Sequence, residues 1–227
     1  MSGNTLDLKS LGVRGVNAAL FALPEGSNEV DWVIDNPRGQ HNIACGLDTP
    51  ISVTVNGHAG FYCGGMNQKA DVLIRGHAGV GVAENMMSGS VRITGNASES
   101  AGATGCGGLL VIEGDASSRC GISMKGIDIV VGGSIGHMSA FMAQAGHLVV
   151  CGDAGDALGD SIYEAILFVR GKVASLGADC IEKDMRPEHL TKLTQLLKAA
   201  GMDADPADFR RYGSARKLYN FDIDNAY

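Results

Sequence analysis

Aromatic residues are scarce in this chain, at 12 of 227 positions, with a single tryptophan at Trp32. A sugar-cleaving groove needs aromatic platforms beside paired carboxylates. Asp115, Asp153 and Asp156 supply carboxylates, but a stand-alone carbohydrate-active β-helix enzyme is only a weaker alternative on this composition. Basic charge is lacking too. The formal net charge is −7, which argues against a nucleic-acid surface, usually a basic stripe. No run approaches the ~20 apolar residues of a membrane span. The stretch from Met1 to Lys9 has no basic segment followed by an apolar run, so no secretory signal is visible. Six cysteines, Cys45, Cys63, Cys106, Cys120, Cys151 and Cys180, form neither a C-x-x-C pair nor a zinc-type cluster with histidine. Together these absences lead to the expectation of a cytoplasmic protein with reduced, mostly buried thiols and no metal site.

Glycine is abundant, at 33 residues, about twice the usual ~7% share. Only Gly201 and Gly213 follow Gly177, and this shift marks the clearest boundary in the chain. Before it, a strand-like phrase ends in glycine seven times: Val53-Thr-Val-Asn-Gly57, then the same form ending at Gly76, Gly95, Gly114, Gly133, Gly152 and Gly171. Every step is 19 residues. Two residues after each glycine stand Ala59, Ala78, Ala97, Ala116, Ile135, Ala154 and Val173. Seven after it stand Gly64, Ala83, Gly102, Gly121, Ala140, Gly159 and Ala178. The two apolar positions before each glycine lie two apart and share one face of a strand. One such strand cannot bury that face alone, but a stack of copies can. The columns therefore predict an all-β fold, a right-handed parallel β-helix of about seven coils. Its phrase-ending glycines would be corners at positive φ, and its small-residue columns would suit a narrow interior.

Residues 1–50 fall outside the clean period and read as a lead-in, with a short strand at Leu6-Asp-Leu8 and a helix from Val13 to Leu23 ending at Pro24. Residues 51–178 form the β-helix. Residues 179–227 read as a helical cap and tail. Pro187 suits a helix start, Leu190, Leu193 and Leu197 give the apolar face, and Gly201 the stop. This segment is expected to cover the open end of the solenoid. The tail interleaves Phe209, Tyr212, Tyr219 and Phe221 with Arg210, Arg211 and Arg216, a composition favoured at partner interfaces.

No catalytic or cofactor-binding constellation emerges. Gly79-Val-Gly81 and Gly105-Cys-Gly107 sit in the coil register with no helix after them, unlike phosphate loops. His58 and His77 share a column one coil apart, about 5 Å when stacked. That column continues as Asn96, Asp115, Ser134, Asp153 and Lys172, a mixture that reads as a solvated corner row.

The coils with Gly57-His-Ala-Gly60 and Gly76-His-Ala-Gly79 resemble the C-terminal GXGXG domain of the glutamate synthase large subunit. So do Arg14-Gly-Val-Asn-Ala-Ala-Leu20 and Ser214-Ala-Arg-Lys-Leu-Tyr219. The chain resembles most the small stand-alone form of that family, found in N-methylglutamate synthase. The solenoid chain of formylmethanofuran dehydrogenase, or of a formyltransferase–hydrolase complex, is the alternative. The resemblance implies a non-catalytic subunit that links a class II glutamine-amidotransferase-like chain to an FMN- and iron–sulfur-containing synthase chain. Cofactors would then belong to the partners, and the complex would make N-methylglutamate and ammonia from methylamine and glutamate.

Overall fold

The computed structural model describes residues 4–23 and 30–216. Its core is a parallel β-solenoid. Seven strands carry the repeat: β3 (Ser52–Val55), β4 (Asp71–Ile74), β5 (Ser90–Ile93), β6 (Leu109–Ile112), β7 (Lys125–Val131), β8 (Ala145–Val150) and β9 (Ile166–Val169). Each pairs in parallel with the next, in the 19-residue register read from the columns, so that Val53 faces Val72, Val72 faces Val91 and Val91 faces Leu110. The residues two apart point inward and are buried, as with Val53 and Val55 or Ile129 and Val131. A second contact line runs through the small-residue column, as single parallel bridges from Ala59 to Val173.

The ladder also extends towards the N-terminus. Strand β2 (Asp31–Asp35) pairs in parallel with β3, and β1 (Asn4–Asp7) with β2. Trp32 lies opposite Val53, a step of 21 residues, which is why a strict 19-residue period does not register this coil. Trp32 is packed in the core. Helix α1 (Leu8–Phe21) starts at an Asp7 cap and breaks at Gly12 (φ 63°), where the backbone leaves helical geometry. Its far half buries Val16 and Leu20. Asn17 fastens it to the first coil: its Nδ2 donates to Asn42 O at 2.7 Å and its Oδ1 accepts from Ala44 N at 3.0 Å. That is the physical role of the Asn17 motif. Pro24 lies outside the described residues.

The phrase-ending glycines require a correction. Only Gly57 has positive φ; the other six do not. They are glycines because the coils approach too closely for a side chain. A Cβ at Gly76 would lie 2.8 Å from Gly57 C, and one at Gly152 would lie 2.6 Å from Gly133 O. Positive φ falls instead five, seven and nine residues later, at Tyr62, Gly64 and Met66, and again at Gly81, Ala83 and Asn85. This alternation turns successive amides in opposite directions along the rod. Gly64 N donates back to Ile43 O, while Tyr62 N and Met66 N donate forward to Val80 O and Glu84 O. From Gly64 to Gly159 the residues seven past each glycine have positive φ, and the glycines among them are also tightly packed. Gly102 has φ 68°, and a Cβ there would press on Ile129 and Leu110.

The C-terminal segment covers the open strand edge as expected, but with a strand and not with its helix. Helix α2 (Pro187–Ala200) begins and ends where Pro187 and Gly201 suggest, with Gly201 at φ 68°. It lies along the flank, not over the end. Leu193, Leu196, Leu197 and Ala200 pack on the outward side chains Val111, Val130, Val149 and Phe168. Leu190 points away and is exposed. Arg92 Nη2 donates to Ala200 O at 3.0 Å, a cation at the helix C-terminus. The edge of β9 is paired by β11 (Arg210–Ser214), and β11 by β10 (Cys180–Lys183), both antiparallel. No helix among the described residues is long and apolar enough to cross a membrane.

Candidate functional site

The corner row headed by His58 and His77 is a hydrogen-bond ladder. Each side chain accepts the backbone N–H of its own column one coil on. His58 Nδ1 accepts from His77 N (2.9 Å), His77 Nδ1 from Asn96 N (2.9 Å) and Asn96 Oδ1 from Asp115 N (3.1 Å). Asp115 accepts from Ser134 N (2.7 Å), Ser134 from Asp153 N (3.0 Å) and Asp153 from Lys172 N (2.7 Å). Short acceptor side chains are what the column shares, and lysine ends it. The two imidazoles stack at 4.9 Å with nearly parallel planes. Their Nδ1 atoms are committed to the ladder, so the row is structural. Asp115→Ala should cost about 1 kcal/mol in urea melts and Asp115→Asn, which keeps the acceptor, clearly less; equal losses would refute the ladder.

Four of the six cysteines are buried. Cys63 and Cys120 are in the core, and burial raises both thiols, that of Cys120 to about 12. Among the described residues no group of three or more His, Cys, Asp or Glu side chains is placed to hold a metal ion. Gly79-Val-Gly81 and Gly105-Cys-Gly107 are packed turns: a Cβ at Gly81 would meet the Tyr62 ring at 2.6 Å, and one at Gly105 would meet Ile127 at 2.9 Å. Neither offers an open phosphate cradle.

The polar cavity lies elsewhere, where β8, β9, β10 and β11 meet the first turns of α2. It has a volume of about 210 Å³ and is lined by Glu164, Lys183, Arg186, His189, Lys192 and Arg211, among others. His189 and Arg211 are buried. Arg211 Nε donates to Asp184 O at 2.8 Å, and its Nη1 lies 3.2 Å from His189 Nε2. Burial and the charges of Arg211 and Arg186 lower the His189 pKa.

At the cavity's edge Asp128 joins two elements to the coil. Its Oδ1 lies 2.7 Å from His147 Nδ1, and its Oδ2 accepts from Lys192 Nζ on α2 at 2.9 Å. Burial alone would raise the Asp128 carboxyl, but hydrogen bonds from His147 and Lys192 outweigh it and hold the pKa below the usual carboxylate range. A depressed folded pKa gives stability that is present above the unfolded value of about 3.9 and lost as pH falls through the folded one. Asp128→Asn should therefore destabilise by about 1 kcal/mol at pH 7, a figure reduced for the part-exposed Lys192. The gap to wild type should close in melts at pH 2–3; a gap of the same size there would refute the assignment.

The expected docking residues divide. Phe209, Arg211 and Tyr212 are buried in the chain's own packing, because β11 pairs with β9 and Phe209 joins the α2 cluster. Arg210 and Arg216 stay on the surface, where Arg210 donates to Gly171 O at 3.1 Å and Arg216 pairs with Asp179. Tyr219 and Phe221 lie outside the described residues. Sequence reasoning missed the cavity. Asp128 and His147 share a 19-residue column and were detectable, but His189 and Glu164 carry no periodic signal.

No family model matches the chain. A curated relative, the protein GlxC of Rhizobium meliloti (strain 1021), is 65% identical over 222 residues, 97% of this chain and 97% of that protein.

Proposed function

The chain belongs to the family of the Rhizobium meliloti protein GlxC, and we propose that it is a non-catalytic structural subunit of a glutamate-synthase-like complex. The observation that carries this reading is the coil register from β3 to β9, which keeps its 19-residue step apart from one irregularity between Lys125 and Asp128 and leaves no long inserted loop in which to build an active site. The resemblance of the His-Ala-Gly coils to the glutamate synthase GXGXG domain supplies the kind of complex. In the finer form of the proposal the complex is N-methylglutamate synthase. This chain then links a class II glutamine-amidotransferase-like subunit to a synthase subunit that holds FMN and the iron–sulfur cluster. Exposed apolar side chains on the coil turns and just after them support a partner face: Phe61, Tyr62, Met66, Met87 and Met142. Turn residues of this kind stand out from a monomer's usual surface when they gather on one side.

The test is purification of the tagged chain from its own cells, with mass spectrometry of what accompanies it. Two larger chains are expected, one an amidotransferase and one carrying flavin and iron–sulfur absorbance. Amidohydrolase-like and formyltransferase partners would overturn the reading in favour of a formyl-transfer complex. A chain recovered alone would overturn both.

A further inference from the structure

The corner ladder uses one nitrogen of each imidazole and leaves the other. His58 Nδ1 accepts from His77 N and His77 Nδ1 from Asn96 N, both at 2.9 Å. A neutral imidazole has one N–H and one acceptor nitrogen. With Nδ1 accepting, the proton of each ring sits on Nε2. Both side chains are exposed, and neither Nε2 has a hydrogen-bond partner among the described residues. The two rings repeat one position of the coil, stacked at 4.9 Å with an interplanar angle of 8°. Two parallel N–H donors therefore stand on the surface one coil apart.

Arg38 extends the row. Gly39 N donates to His58 O at 2.9 Å, just as Ala59 N donates to His77 O at 3.0 Å, so Arg38 holds the place of this column one coil earlier. Its step to His58 is 20 residues, which hides it from the strict period. Arg38 is exposed and makes no hydrogen bond or ion pair among the described residues. It lines an open groove with His58, Asn36, Asn56 and Asp35. The nearby carboxylates already have donors. Asp35 accepts from Asn56 Nδ2 at 2.7 Å. Asp7, on which the Arg38 charge acts, accepts from Asn36 Nδ2 at 2.9 Å. Three donor side chains thus occupy one row over three successive coils, with no acceptor among the described residues.

We infer that His58, His77 and Arg38 form a binding site for a carboxylate, with one imidazole N–H on each oxygen and the guanidinium supplying the charge. A carboxylate offers two acceptor oxygens side by side, and hydrogen bonds to an ionised group are the stronger kind. The fixed proton decides against other ligands. A metal ion needs a bare ring nitrogen, and Nε2 here carries hydrogen. A dianion such as phosphate would meet Asp35 on the groove wall and draw a second proton onto the rings, at the expense of the Nδ1 acceptors that join the coils. Exposed bonds of this kind are weak, so the expected affinity for a simple carboxylate is millimolar. The site belongs to this chain alone, whatever complex the chain joins.

Acetate titration of the isolated chain at about pH 7.5, where free imidazole is mostly neutral, tests the inference through the ring nitrogen resonances of His58 and His77. Both Nε2 signals should shift and saturate, and chloride at the same ionic strength should not reproduce the shift. Asparagine keeps the ladder, as Asn96 Oδ1 does in the same column, but lacks the Nε2 donor. His58→Asn and His77→Asn should therefore melt within a few degrees of wild type, and each should weaken acetate at least fivefold at the remaining ring. Arg38→Gln, which touches no ladder bond, should weaken it at least threefold. A capped peptide with one glutamate identifies the source. Binding as tight as acetate or tighter assigns the carboxylate to a protein side chain, and weaker binding to a free small acid; both support the site. The inference is overturned by the absence of a saturable shift, by an equal response to chloride, or by tighter binding of inorganic phosphate. Full affinity in Arg38→Gln or in the asparagine variants overturns it too.

Discussion

Gly114→Val should leave a protein with no cooperative melting transition, or one displaced downward by more than about 10 °C, the shift expected for a loss of about 4 kcal/mol in a chain of this size. The cause is close approach between coils. A Cβ at Gly114 would lie 3.0 Å from Gly95 O and would collide with the Asn96 side chain. Neither neighbour can retreat. Gly114 N donates to Gly95 O at 3.1 Å, and Gly133 N donates to Gly114 O at 2.9 Å, so the coil is held on both sides. Asn96 is itself committed to Asp115 N in the corner ladder. A valine forces the coils apart and breaks both lines of bonds. Gly201 provides the control. It is left-handed at φ 68° with nothing within 4 Å of an added Cβ, so Gly201→Ala should cost only the conformational strain of about 1–2 kcal/mol. Gly114→Ala should cost more than that, in the overpacking range or above it. If Gly201→Ala proved the more damaging in chemical denaturation, the close-approach account would fail.

The same glycines show what was legible in the sequence and what was not. Their spacing announced the coil, because identical neighbours must stack in register and any insertion would break the columns. Their conformation was not legible, because glycine answers two different demands and sequence does not say which. The left-handed positions at Tyr62, Ser100, Arg119 and Met138 were invisible for a simple reason. Residues that accept left-handed strain for an inter-coil hydrogen bond need share no chemistry, so their column shows none. The ladder of His58, His77, Asn96, Asp115, Ser134 and Asp153 had a common feature, a short acceptor, but one expressed in four residue types. The cavity is tertiary in origin. His189 comes from α2, Glu164 from the approach to β9 and Arg211 from β11, and only the antiparallel return of β11 brings them together.

The position of α2 was nearly legible. The middle residue of each strand phrase faces outward, and it runs Thr54, Leu73, Arg92 and then Val111, Val130, Val149 and Phe168. The change to apolar residues at Val111 marks where something covers the sheet. Both faces of β6 to β9 are accordingly buried, while Thr54 and Arg92 remain partly open.

Leu193→Asp is expected to release α2 while the coils stay folded. Leu193 is fully buried among Val130, Val149 and their neighbours, in a cluster separate from the solenoid interior. A carboxylate placed there loses roughly 2 kcal/mol of leucine burial and adds a desolvation cost of several kcal/mol with no buried partner, against the burial that Leu196, Leu197 and Ala200 still supply. Freed of α2, the outer face would expose Val111, Val130, Val149 and Phe168 together, a contiguous apolar patch of the kind that drives association. The inward side chains Ile112, Val131, Val150 and Val169 are held by the coil stack and need no helix. Hydrogen exchange should show amides of residues 190–200 losing protection while strands β3 to β8 keep theirs. The variant should also bind a hydrophobic dye and self-associate. Simultaneous loss of protection in helix and strands would show instead that flank and solenoid unfold as one unit, and that α2 is part of what holds the coils together.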